Sequence, residues 1–224
     1  MTGGPFFPIF DRLPPDLPIF PLTGVLLLPR GLLPLNIFEP RYLAMVDAAL
    51  ATDRLIGMVQ PVTPGGPGVE GAVAAPPVYR TGCAGRVTSF DETDDGRYLI
   101  TLTGVCRFHL GRESLAEGGY RMVEAGWSDF AADFDADELT VDRERLAAAL
   151  NAFFKHHGIS ADWAAIGEAP DERLITSLAM ICPFEPSEKQ ALLEAPTLAD
   201  RAEMMVSLVE MAVLSRDGDH PARH

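Results

Sequence analysis

Two stretches bring reactive side chains together. In VCRFHL (Val105–Leu110) Cys106 and His109 carry a thiol and an imidazole, the types that pair as nucleophile and base. On a strand, residues three apart point to opposite faces, so the plainer expectation is a core thiol and a rim histidine. His156 and His157 are the second pair. Adjacent helical residues diverge by about 100°, and no HxxxH or acid–histidine spacing completes a metal set. His157 is expected to pack at a helix end and His156 to face solvent. The acidic run Asp91–Asp95 lacks the spacing and closing glutamate of a calcium loop and reads as a hairpin tip at Asp95-Gly96. Pro64-Gly65-Gly66-Pro67-Gly68 lacks the Lys-Ser/Thr pair of a phosphate loop, since the first lysine is Lys155. GxSxG, HExxH and the dinucleotide-binding glycine pattern are absent from the sequence. No catalytic residue, metal ligand or cofactor site is expected.

Composition narrows the partner. The 224 residues carry a formal charge of −14, with 18 Lys and Arg against 32 Asp and Glu. Nucleic acid is therefore disfavoured, because phosphate contacts need clustered cations. Arg80, Arg86, Arg97, Arg107, Arg112 and Arg121 are the residues from which a local patch would be built. Cys83, Cys106 and Cys182 are too few and too scattered for a disulfide framework, which points to a reducing, cytoplasmic setting. The N-terminus lacks the pattern of a signal peptide, and no apolar window is long enough to cross a membrane.

The elements that would position a site begin at Leu17–Met45. Leu17–Phe20, bounded by prolines, reads as a strand at a sheet edge or a strand start. Val25–Leu28 and Leu35–Phe38 read as two more strands. At Glu39-Pro40-Arg41-Tyr42 the period changes, and Tyr42, Leu43, Val46 and Leu50 recur at helical spacing behind Pro40. Glu39 and Arg41 flank that junction as an N-terminal carboxylate and its partner, or as the polar rim of a groove. Further strands are predicted at Arg54–Val59, Gly82–Phe90, Tyr98–Thr103, Val105–Leu110 (divided from the last by Gly104) and Tyr120–Trp127. Residues 60–77 are a loop. An acidic connection, Asp129–Glu144, leads into helices. One places Leu146, Leu150, Phe153, Phe154 and His157 on a face before Gly158. A short one, capped by Ser160, carries Trp163 and Ile166. Another runs from Pro170 with Leu174, Ile175, Leu178 and Ile181 inward. Ser187 and Gln190 form a capping box, and Thr197 caps the last helix. Trp127 and Trp163 are read as core.

These residues resemble one family. LPIFPL from Leu17, then Leu28-Pro29, then LNIFEPRY from Leu35 are similar to the start of the Lon N-terminal, substrate-binding domain. GCAGRV from Gly82 and DGRYLITLTGVCRF from Asp95 are similar to its middle, and KQALLE from Lys189, with Arg201, to its close. The resemblance implies an α+β fold, a PUA-like β pseudobarrel followed by a C-terminal helical bundle. The corresponding boundaries are a flexible tail at 1–15, the pseudobarrel at 16–128, an acidic connection at 129–140, the bundle at 141–215 and a disordered tail at 216–224. It also implies a stand-alone Lon-domain protein without ATPase or Ser–Lys protease modules, so not an enzyme. Its role would be a non-catalytic recognition module for unfolded or exposed apolar polypeptide segments, an adaptor in protein quality control serving a protease or chaperone in trans. PUA-like RNA binding and a small hydrolase built on Cys106 and His109 are the alternatives. The groove candidates are Phe38, Glu39, Arg41, Tyr42 and Arg107.

Overall fold

A computed structural model describes residues 8–62, 76–135 and 141–217, with side chains omitted at 156 and 214–217. Expectations for residues 1–7, for the Pro64–Gly68 core, for Asp137 and Glu138, for the side chain of His156 and for the tail beyond Asp217 lie outside that description.

Six strands form one sheet: β1 (Asp16–Pro21), β2 (Leu32–Ile37), β3 (Leu55–Val59), β4 (Thr81–Glu92), β5 (Tyr98–Leu115) and β6 (Arg121–Gly126), in the order β2-β5-β4-β3-β1-β6. The sheet closes because β5 is long enough to be used twice. Its first part pairs with β2 and β4, and its last part, from His109, pairs with β6. β1 lies parallel to β3 and the other pairs are antiparallel.

Three strand expectations are corrected. β1 is not an edge, since β3 and β6 flank it. Pro18 is accommodated because pairing with β3 begins only at Ile19, so no ladder donor is missing there. Val25–Leu28 is not a strand but an irregular segment in which Leu26, Leu27 and Leu28 are buried. Tyr98–Thr103 and Val105–Leu110 are one continuous strand. Gly104 does not divide them; a Cβ there would overlap the Leu28 carbonyl, so glycine lets the Val25–Leu28 segment cross β5 at backbone contact.

The helices are α1 (Pro40–Leu50), α2 (Arg143–His157), α3 (Trp163–Glu168), α4 (Asp171–Ile181), α5 (Pro186–Glu194) and α6 (Leu198–Asp217). α1 begins as expected, with Pro40 in its first turn, and buries Tyr42, Met45, Val46 and Ala49. α2 ends at Gly158, whose φ of 64° suits the left-handed cap. Thr197 and Asp200 exchange bonds at the start of α6. Two caps differ from the sequence reading. Asp162, not Ser160, accepts from Ala164 N and Ala165 N. Glu185 and Glu188, not Ser187 and Gln190, form the capping box of α5, because Pro186 already occupies its first turn. Part of the acidic connection is structured: Ser128–Phe134 is a 3-10 helix packed on β5, with Phe130 buried. At the other end, Phe10 meets Phe134 edge-on at 5.6 Å, and Trp127 Nε1 donates to Pro14 O at 2.9 Å.

Alternation along the strands feeds two buried clusters. Leu55 and Val59 of β3, Ala84 of β4 and Phe108 of β5 face one with Leu17, Ile19 and Phe130. Ile56, Met58 and Cys83 face the other. That larger cluster continues through Leu26–Leu28 and α1 into Leu146, Leu150 and Phe153 of α2, Ile175 of α4, Leu192 of α5 and Met205 of α6.

Candidate functional site

The strand-to-helix junction presents one side chain and buries another. Phe38, at the end of β2, is 64% exposed. Glu39 is extended (ψ 131°) and immediately precedes α1. Its carboxylate accepts from Arg41 Nε at 3.0 Å and lies 2.8 Å from Arg41 Nη2. The Arg41 guanidinium covers the Tyr42 ring at 4.6 Å from its centroid. Tyr42 itself is buried, its ring 4.3 Å from that of Phe20, and burial raises its phenol pKa. Phe38, Glu39, Arg41 and Tyr42 thus sit together, but only the first three are accessible.

Arg107 stands apart from them, on β5. It is 5% exposed and forks onto Asp133, with Nη2 2.7 Å from Oδ1 and Nε 3.0 Å from Oδ2. Its remaining donors reach Ala195 O at 2.7 Å, Leu193 O at 3.3 Å and Pro196 O at 3.3 Å, and its guanidinium lies 4.8 Å from the Phe130 ring centroid. All its hydrogens are thereby engaged within the protein. It joins the sheet to the Ser128–Phe134 helix and to the turn between α5 and α6.

The thiol and imidazole of Val105–Leu110 do not meet. Cys106 is buried, its Sγ aimed at the Arg107 and Phe130 carbonyls, and burial pushes the thiol up to about 12. His109 lies instead between the Thr81 hydroxyl, 3.4 Å from Nδ1, and Asp129, 3.4 Å from Nε2. A thiol held protonated without a base beside it is a poor nucleophile. Most of the arginines expected to compose a basic patch have partners of their own. Arg97 pairs with Asp95 at 2.8 Å, Arg112 with Glu124, Arg121 with Glu113, and Arg86 donates to Asp53 O at 3.0 Å. Among the described residues no three His, Cys, Asp or Glu side chains are grouped to hold a metal ion, and no helix is long and apolar enough to cross a membrane.

An apolar opening lies elsewhere, between the end of α2, α3 and α4. It is a cleft of about 600 Å³ lined by Phe154, Ile159, Ile166, Leu174, Leu178 and Ile181. Ile181 was expected inward and Trp163 in the core; they are 71% and 41% exposed. α4 turns Leu174, Ile175, Leu178 and Ala179 inward, whereas Ile181, its last residue, is left uncovered beside α3, which is only six residues long. Asp162 and Glu168 stand in the same cleft, with Arg173.

With this geometry in place, residues 16–211 match the model of the ATP-dependent protease La (LON) substrate-binding domain. The chain belongs to that family. Its relatives include Lon protease of Syntrophus aciditrophicus (strain SB), 26% identical over 206 residues, which covers 88% of this chain and 25% of that protein. Lon protease 2 of Myxococcus xanthus is 23% identical over 202 residues, 89% of this chain and 24% of the relative. The chain therefore spans about a quarter of the length of these proteins. Its fold is that of the Lon N-terminal domain. The crystal structure of a Lon N-terminal domain protein from Xanthomonas campestris superposes with a TM-score of 0.61 at 23% identity, covering 86% of this chain and 97% of that one. The N-terminal domain of a Mycobacterium avium complex Lon protease gives 0.55 at 15% identity, over 92% and 100%.

Proposed function

We propose that this Lon-family domain is a non-catalytic recognition module that captures exposed apolar segments of polypeptides. The observation that carries the reading is the apolar cleft between α2, α3 and α4, whose lining includes the exposed Ile159 and Ile181. Its volume is in the range of about 300–1,000 Å³ usual for binding pockets. Family membership supplies the class of ligand, a protein substrate. The sequence has no phosphate loop, so ATP-driven unfolding of the captured segment is assigned to another module. In the finer form of the reading the domain is a cytoplasmic adaptor in protein quality control that delivers segments to a protease or chaperone in trans. Strand closure through β5 supports a PUA-like description of residues 16–128, and the run of α2–α6 supports a helical unit at 141–215.

The test is a titration of fluorescently labelled β-casein, an unfolded apolar polypeptide. Saturable binding is expected, weakened at least about tenfold, or about 1.4 kcal/mol, in Ile181→Asp. Because Ile181 is exposed, the melting temperature of that variant should match the parent. A parent without saturable binding would remove the proposal; a variant that binds as well as the parent would remove the cleft from it.

A further inference from the structure

β2 has a strand neighbour on one side only. It pairs with β5 along Leu32–Ile37, and no strand among the described residues lies against its other side. The phase of the ladder is set where it begins. Arg30 N donates to Gly104 O and Gly104 N to Gly31 O, each at 2.8 Å, so this position is a bonded pair with one extra residue on the β2 side. Antiparallel alternation then puts Leu33, Leu35 and Ile37 in the bonded positions opposite Leu102, Ile100 and Tyr98. Leu32, Pro34 and Asn36 turn their backbone groups to the free side. Pro34 accordingly stands where a missing N–H costs the sheet nothing.

Edge strands are blunted by charge, by proline or by bulges, and this one carries Pro34 and an extra residue at its start but lacks the charge. This one has no charged residue from Leu32 through Phe38, in a chain of formal charge −14. Leu32 is 61% and Phe38 64% exposed, and an open groove of about 400 Å³ is lined by Pro34, Asn36, Leu99, Thr101, Ser89 and Asp91. Charge gathers just beyond the Phe38 end, where the β4–β5 hairpin holds Glu92, Asp94 and Asp95, with Asp95 matched by Arg97, while Asp91 stands level with Asn36 across Leu99.

We propose that the free edge of β2 is a strand-addition site for an extended polypeptide segment. Its side chains are apolar or uncharged, and a lysine or arginine lies at the end beside Phe38 and the acidic hairpin. The proposal rests on the polypeptide-recognition reading and adds to it a mode, backbone pairing, that accepts many sequences because it reads main chain. A second copy of this chain is a poor occupant. Two-fold antiparallel pairing about the centre of the strand sets Pro34 against its own counterpart and removes two donors from the middle of the ladder.

The probe is a synthetic peptide of about ten residues that alternates valine and threonine and ends in two lysines, followed by fluorescence anisotropy. Two further versions are N-methylated at alternate backbone nitrogens, one in each register. Only one register of an added strand faces the edge, so one methylated peptide should bind at least about tenfold more weakly and the other as well as the parent. Replacing the lysines with glutamate should weaken binding. Asn36→Pro removes an edge donor that makes no bond to β5, and should weaken the parent peptide about tenfold with an unchanged melting temperature. If that variant does not fold, the methylated pair still decides. Equal binding of all three peptides, or no peptide binding, overturns the strand-addition site. β-casein binding that survives in either case leaves the broader reading standing; its loss as well removes both. A concentration-dependent dimer that Asn36→Pro abolishes would assign the edge to self-association and overturn the proposal.

Discussion

Arg107 shows how one side chain can be a candidate for binding and yet be used up by the fold. Its partner Asp133 is as buried as it is, with side chains 6% and 7% exposed. Removing one member of such a pair strands the other. Arg107→Ala is therefore expected to destabilise the protein by about 3–5 kcal/mol, read from urea unfolding. Arg107→Met combined with Asp133→Leu should cost less than the single change, since no buried charge is left alone. The three thiols act at the same scale. Burial pushes Cys106 and Cys182 up to about 12 and raises Cys83 well above its ordinary value. In the unfolded chain they release protons from about pH 8.5, whereas the folded chain keeps them. The folded state then binds more protons, so stability is full below that pH and falls as pH rises toward the folded values. Lys189 opposes this, because burial lowers its pKa and the folded chain gives up that proton first. Three thiols against one amine decide the sign. The urea midpoint should be lower at pH 10.5 than at pH 8, with a shallower dependence in Cys106→Ala.

At the scale of elements, β5 and the segment that crosses it determine the barrel. The strand continues through Gly104 only because nothing projects from that position toward the Leu28 carbonyl. Gly104→Ala is expected to cost at least about 1–3 kcal/mol by forcing the two backbones apart, measured as a lower urea midpoint. Gly167→Ala is the control. It lies in α3 with open space around it, and should be neutral or stabilising by up to about 1 kcal/mol. α1 behaves as its sequence proposes, and Tyr42→Ala should cost about 3–5 kcal/mol as a buried ring is lost. The same element carries Arg41 and Glu39 at the surface, where a paired exposed charge contributes little to stability.

At the scale of the molecule, the larger cluster runs without a break from Leu26–Leu28 and α1 into α2, α4, α5 and α6, and Arg107 fastens the same two halves. The chain should unfold in one transition. Trp127 packs on Phe108 of the sheet and Trp163 on Phe154 of α2, so Trp163→Phe and Trp127→Phe leave one reporter in each half. Their urea midpoints should coincide once corrected for the substitutions; separated midpoints would show two independently folding units. What the sequence determined by itself was local. The turn at Asp95-Gly96, the start of α1 at Pro40 and the stop of α2 at Gly158 depend on backbone chemistry within a few residues. The order of strands before helices and the family were legible for the same reason, being carried by contiguous motifs. Only the tertiary structure decided the rest. Whether Leu17–Phe20 is edge or interior depends on what β3 and β6 bring from elsewhere in the chain. Whether Val25–Leu28 is a strand depends on a glycine about eighty residues away. Ile181 repeats at the same helical interval as the core residues before it, and no local pattern says that α3 stops short of covering it. Arg107 looks like any exposed arginine until Asp133 and the α5–α6 turn close over it. Burial is a property of what meets across the fold, and a linear pattern records only which residues are prepared for it.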